Sequence, residues 1–169
     1  AEGGLAILRS GPAGDDAAVI MKATTQGLGH GHFDKLGFLY FDNGDEVVAD
    51  YGAARFLTVE PKAGGRYLPE NTSWAKQSIA HNTLVVDQTS HFNGDWREGQ
   101  KHAPTVIEFG TRDGIQVAFA EIGTAYEDVR LQRLVALMPG NNGRDYVVDI
   151  MRGLGVGEHR FDLPVHFKG

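Results

Sequence analysis

The chain has 169 residues, 41% of them hydrophobic and 22% charged, which is enough apolar content for one buried core and a length that fits a single domain over residues 1–169. Its formal net charge of −6 lacks the basic excess that a phosphate backbone requires and argues against nucleic acid as a partner. No apolar run approaches the ~20 residues of a bilayer-spanning helix, so no membrane partner is expected, and no basic-then-apolar leader opens the sequence. Cysteine is absent, which removes disulfides, thiolate metal sites and cysteine nucleophiles while leaving the compartment open.

In chain order, apolar runs of strand length fall at 5–8, 17–21, 36–41, 47–49, 83–86, 105–109, 115–122, 129–138, 146–150 and 160–167. Most alternate apolar with polar residues or are rich in β-branched and aromatic side chains, and Gly, Asp, Asn or Pro clusters bound them. Asp42-Asn43-Gly44-Asp45, Asp113-Gly114 and Pro139-Gly140-Asn141-Asn142-Gly143 supply residues that tolerate positive φ and predict hairpin connections. No helical stretch of crossover length alternates with these runs, so the predicted fold is all-β, a large antiparallel β-sandwich arranged as a jelly-roll-like double sheet.

One segment breaks the pattern. From Gly52 to Gln77 there is no clean period, and Arg55, Arg66, Tyr67, Asn71 and Trp74 are interleaved with glycine and proline. Long loops in compact domains are usually functional or disordered, and arginines mixed with aromatics are not a disorder composition. The segment therefore reads as an ordered site loop. Arg55 and Arg66 suit a substrate carboxylate through bidentate hydrogen bonds, or else make solvent salt bridges. Tyr67 is either a packing residue or a phenol that moves a proton. Trp74 and Trp96 belong to the core or stack on sugar faces.

The richest stretch for chemistry is Gly29-His30-Gly31-His32-Phe33-Asp34. If extended, it turns His30 and His32 to one side, where two imidazoles reach one metal or one substrate; ordinary hydrogen-bonded histidines are the alternative. Asp50 ends the next strand after a hairpin and is a candidate third ligand. His81-Asn82-Thr83 opens the strand-like run to Val86, as a satisfied polar cluster or as the rim of a site. Two histidines and an aspartate with one open position would suit Zn²⁺. His91, His102, His159 and His166 lack such neighbours and read as surface or packing histidines. A cupin oxygenase would need a glutamate shortly after the second histidine, where Lys35, Leu36 and Gly37 stand. P-loop, nucleophile-elbow, His-Glu-X-X-His and dinucleotide fingerprints are absent.

The run HGHFDKLGFLYFDNGDEVVADYGAARF, followed by GGRYLPENTSWAKQSIAHNTLVVD, resembles the C-terminal β-sandwich of the heparinase II/III-like polysaccharide lyases, most closely the family 17 exolytic oligoalginate lyases. The dense part of the match runs from Gly29 to Asp87. The resemblance implies an N-terminal α/α toroid outside this chain, packed on the sandwich with the active site between them. It places zinc ligands at His32, Asp50 and His81, the zinc being mainly structural, and the tyrosine that protonates the leaving glycosidic oxygen at Tyr67. His30 falls in the same cleft, and Arg55 on a contact to the substrate carboxylate. Arg66 and Asn71 are the further candidates for substrate binding.

The implied reaction is β-elimination on a uronate, with alginate oligosaccharide as substrate and exolytic release of an unsaturated uronate. The C5 proton leaves only when the adjacent carboxylate is neutralised, a base takes that proton, and an acid protonates O4. The neutralising asparagine–histidine pair and a second tyrosine belong to the toroid, so this chain alone is expected to be inactive. A surface left apolar where the toroid packs would favour a homo-oligomer. The alternatives are a lyase on glycosaminoglycan or another acidic polysaccharide, and a non-catalytic carbohydrate-binding or assembly module.

Overall fold

The computed structural model describes residues 4–14, 16–52 and 63–168. Strands β1 (Leu5–Arg9), β2 (Ala18–Lys22), β3 (Phe38–Asp42) and β4 (Asp45–Val48) form one four-stranded sheet in the order β1-β2-β3-β4. After the short β5 (Val85–Val86) and one helical turn, α1 (Trp96–Gly99), a second four-stranded sheet follows. It contains β6 (Thr105–Arg112), β7 (Ile115–Ile122), β8 (Val129–Pro139) and β9 (Asp145–Gly155), again in chain order. β10 (Phe161–Asp162) pairs with β5. Every pairing is antiparallel, so the expected all-β double sheet is present, each large sheet being a meander of hairpins.

The turns explain the meanders. Asn43 (φ 50) and Gly44 (φ 78) join β3 to β4, and Asp113 (φ 52) and Gly114 (φ 79) join β6 to β7. Two consecutive left-handed residues form the tight turn whose twist matches that of the flanking strands.

The core lies between the sheets. Ala6 and Leu8 of β1 and Val19 and Met21 of β2 are buried in one cluster with Ala118 and Ala120 of β7 and Leu131, Val135 and Leu137 of β8. The small alanines of β7 let the layers approach, and each fully buried Leu or Val contributes roughly 1.5–3 kcal/mol of transfer free energy. The sheets are also stitched at an edge, where Gln116 of β7 accepts from Arg9 N at 2.9 Å and donates back to the Arg9 carbonyl.

The outer face of the second sheet is also apolar. The register places Val117, Ala136 and Val148 in one cross-strand row and Phe119, Leu134 and Ile150 in the next. Tyr146, Val148 and Ile150 on β9 are exposed.

Candidate metal centre and the loops beside it

The Gly29–Asp34 stretch is not extended. Leu28–His30 forms a single 3-10 turn closed by Gly31 N–H to the Leu28 carbonyl, so His30 and His32 are separated by a change of backbone direction. His30 is exposed, and His32 is half-buried. Gly31 has extended backbone, and a Cβ there would fall 1.3 Å from the Gln26 carbonyl oxygen. That close crossing accounts for glycine between the two histidines.

His32, Asp50 and His81 converge. One ligand atom from each lies within 4.8 Å of the others, a group that could hold a metal ion. His81 follows a short 3-10 turn, Ser78–Ala80, and is fully buried. Its Nδ1 lies 2.7 Å from Asp50 Oδ2, its Nε2 is buried with no hydrogen-bond partner among the described residues, and its ring centroid is 5.0 Å from that of His32. A buried ring nitrogen without a partner is costly unless something binds it.

The electrostatics agree with a donor set. Burial, reinforced by the neighbouring His81, lowers the His32 pKa to about 4, leaving the ring neutral with a free lone pair at neutral pH. Burial pushes the Asp50 carboxyl up, but hydrogen bonds from His81 and from Gly52 N–H outweigh it, and the net shift is downward. The neutral His32 imidazole, the buried His81 ring and the Asp50 carboxylate together make a nitrogen and oxygen donor set of the kind that holds a divalent ion.

The loop carrying Tyr67 docks against the Gly29–Phe33 segment. Lys76 Nζ donates to the Gly29 carbonyl at 2.6 Å, Phe33 N–H donates to the Lys76 carbonyl at 2.9 Å, and Ser78 Oγ donates to the Phe33 carbonyl at 2.5 Å. Asn71 is buried, and its Nδ2 donates to the Gly65 carbonyl at 2.9 Å, tying down the 3-10 turn Gly65–Tyr67. Its carboxamide thereby supports the turn that presents Tyr67, which is 78% exposed. Between the two segments lies a small cavity of about 130 Å³, bordered by Gly29, Gly31, Asn71, Thr72, Lys76 and Trp96. Arg55 and the side chain of Arg66 lie outside the described residues.

The remaining candidates make the following contacts. Trp74 meets Tyr51 edge-on at 6.0 Å, and the Arg97 guanidinium lies 4.7 Å from the Trp96 ring centre. His91 is a packing histidine, fully buried between Lys35 N and the Leu84 carbonyl. His102 and His159 pair with Glu98 and Asp87.

Two residues escaped the sequence reading. Arg133 and Asp149 form a bidentate pair at 2.7 and 2.6 Å, with Arg133 fully buried between the sheets. The signal was available. In β8, Val129, Leu131, Val135 and Leu137 alternate inward with Arg133 in the same phase, and a cation at an inward position demands partners.

The chain is 53% identical over 169 residues to an alginate lyase of Stenotrophomonas maltophilia and 46% identical over 169 residues to an exo-oligoalginate lyase of Saccharophagus degradans. In both cases 99% of this chain is matched, but it spans only 22% and 23% of those relatives. Among solved structures, a heparinase III superposes with a TM-score of 0.68 at 19% identity, over 91% of this chain and 21% of that one. The heparan sulfate lyase HepC from Pedobacter heparinus gives 0.67 at 22% identity, over 90% and 21%. These structures share the fold. The family model for the heparinase II/III-like C-terminal domain matches residues 1–169, and the chain belongs to that family.

Proposed function

We propose that this chain is the β-sandwich part of a polysaccharide lyase that cleaves alginate oligosaccharides by β-elimination, acting exolytically and releasing an unsaturated uronate. The observation that carries the reading is the docking of the Tyr67 loop onto the His30 segment, directly beside the His32–Asp50–His81 group. The names of the two relatives, alginate lyase and exo-oligoalginate lyase, favour alginate over glycosaminoglycans as the substrate.

In this reading Tyr67 is the acid. The C5–H bond breaks as a base takes the proton, its electron pair forms the C4=C5 double bond, and the C4–O4 bond breaks as the Tyr67 hydroxyl protonates O4. An exposed phenol on a tethered turn suits a group that must reach a substrate laid over the surface. In the same reading His30, on the exposed turn before Gly31, contacts the sugar and helps hold the phenol's proton in place. Arg55, with Arg66, binds the uronate carboxylate. The remaining carboxylate-neutralising groups and the second tyrosine belong to the α/α toroid that the family resemblance implies.

The donor set of His32, Asp50 and His81 fits zinc, since the buried Nε2 of His81 needs a partner and nitrogen and oxygen donors suit that ion. When bound, zinc supplies a structural clamp between the His32 turn, the end of β4 and the residues before β5. The test is ultraviolet detection of the conjugated product with oligoalginate and with heparan sulfate, using this chain alone and within a longer polypeptide carrying the toroid. Activity on oligoalginate from the longer form only is expected. Turnover of heparan sulfate alone would overturn the substrate assignment, and robust cleavage by the isolated chain would overturn the division of the site.

A further inference from the structure

The group His32, Asp50 and His81 is assembled from three chain segments, and something must fix their separation before any ion arrives. Asn82 directly follows His81, and Ala49 directly precedes Asp50. The buried Asn82 carboxamide donates from Nδ2 to the Ala49 carbonyl at 2.8 Å and to the Phe38 carbonyl at 2.9 Å, while its Oδ1 accepts from His166 N–H at 2.7 Å. One side chain therefore ties the backbone beside one ligand to the backbone beside another, with both donors and the acceptor engaged.

A second tie comes from the opposite sheet. Arg133 of β8 donates from Nη1 to the Asn82 carbonyl and, at 2.9 Å, to the Leu36 carbonyl, which closes the segment that begins at His32. Its remaining face is held by both carboxylate oxygens of Asp149 in β9 and by the Phe38 ring, 4.4 Å from the guanidinium carbon. The planar fork fits this geometry, and a lysine ammonium would not reproduce it. A neighbouring tie, Thr83 Oγ1 to the Lys35 carbonyl at 2.6 Å, joins the same two segments.

We propose that Asn82 and Arg133 are positioning residues of the His32–Asp50–His81 centre. Asn82 sets the spacing of Asp50 and His81 from the segment before β5, and Arg133 locks the His81 and His32 segments together from the second sheet. The proposal rests on the metal-binding reading of that centre. Neither residue touches the ion; both set how tightly and in what geometry it is held. Partners that orient metal ligands typically change metal affinity by about 10–100-fold when removed.

The test uses the full chain and four proteins: wild type, Asn82→Asp, Arg133→Lys and, as a control, Tyr126→Phe. Asn82→Asp keeps the acceptor for His166 and removes both amide donors. Arg133→Lys keeps the charge opposite Asp149 and removes the fork, providing a second route if the first variant folds poorly. Tyr126→Phe removes a half-buried residue's hydroxyl that donates to the Thr89 carbonyl at 3.0 Å and to the Leu84 carbonyl at 3.3 Å, bonding none of the three ligands or the carbonyls that Asn82 and Arg133 hold. Zinc affinity is read by competition with a chromophoric chelator on protein shown by circular dichroism to be folded. Ligand geometry is read from the visible spectrum of the cobalt-substituted protein, and metal-free stability from thermal unfolding in chelator.

Asn82→Asp and Arg133→Lys are expected to bind zinc roughly 10–100-fold more weakly and to alter the cobalt spectrum. Tyr126→Phe should lower metal-free stability without changing either. Wild-type affinity and spectrum in whichever of the two variants is folded would overturn the proposal. Affinity losses that merely follow metal-free stability across all three variants would overturn it as well. A wild-type chain that binds neither zinc nor cobalt would instead overturn the underlying metal reading, so the two failures are distinguishable.

Discussion

His81 and Asp50 are 31 residues apart, yet Nδ1 of one lies 2.7 Å from Oδ2 of the other, and the other ring nitrogen of His81 is buried with no partner among the described residues. A histidine held by a carboxylate on one side and offered nothing on the other is half of a coordination site. Replacing His32 by alanine is therefore expected to abolish zinc retention and to lower the Tm of the metal-loaded protein while leaving the chelator-treated protein less affected. An ion at about 100 times its Kd stabilises by about 2.7 kcal/mol, which is easily read by thermal unfolding. Equal zinc content in the variant and wild type by elemental analysis would remove His32 from the site.

Tyr67 is exposed on its turn, so losing its hydroxyl should change stability by no more than about 0.5 kcal/mol. Within a polypeptide that carries the toroid, Tyr67→Phe should lower kcat on oligoalginate by about 10²-fold or more with KM little changed, as expected for loss of a proton donor acting in the transition state. Near-normal kcat in that variant would exclude Tyr67 as the acid.

Gly31 is fixed by contact. Because a Cβ would sit 1.3 Å from the Gln26 carbonyl oxygen, Gly31→Ala must displace backbone on both sides, moving His30 and His32 together. Overpacking of this kind costs about 1–3 kcal/mol, and the variant should also lose zinc affinity. Unchanged Tm and zinc binding would show that the loop can shift without cost.

Stability should fall on mild acidification. His91 accepts from Lys35 N–H at Nδ1 and donates from Nε2 to the Leu84 carbonyl, an arrangement that uses the neutral ring, and burial lowers its pKa from 6.5 to about 4. Between those values the unfolded chain binds a proton that the folded chain refuses, so stability is full above about pH 6.5 and declines toward pH 4. The effect is on the order of 3 kcal/mol. Denaturant unfolding of metal-free protein at pH 7 and 4.5 should show this loss together with that of His32, whose pKa burial also lowers to about 4, so His91→Gln should lessen the loss without abolishing it; parallel pH profiles for the two proteins would refute the assignment.

The apolar rows on the outer face of the second sheet, with Tyr146, Val148 and Ile150 exposed on β9, should make the isolated chain self-associate as its concentration rises. Ile150→Lys is expected to shift sedimentation toward monomer. A wild-type chain that stays monomeric over the same concentrations would contradict this.

The hairpins were legible in the sequence because they are local. Asn43-Gly44 and Asp113-Gly114 carry their own backbone preference for left-handed φ, and the run 115–122 matches β7 end to end. Where pairing is decided at a distance, the boundaries moved. The expected strand at 36–41 begins only at Phe38, since Leu36 (φ 60) lies in a turn in which Gly37 N–H bonds the Asp34 carbonyl. Of 83–86 only Val85–Val86 is a strand, because Thr83 N–H bonds back to the His81 carbonyl and leaves the ladder. β9 instead runs on to Gly155 because β8 continues to pair with it beyond the apolar run, through Arg152 and Gly153. The residue types at 32, 50 and 81 allowed a metal group, but only the folded chain brings their ligand atoms within 4.8 Å. Coordination and buried hydrogen bonding depend on which segments meet in space, as in the Arg133 fork that joins the Leu36 and Asn82 carbonyls to Asp149, and period and turn chemistry carry no record of those meetings.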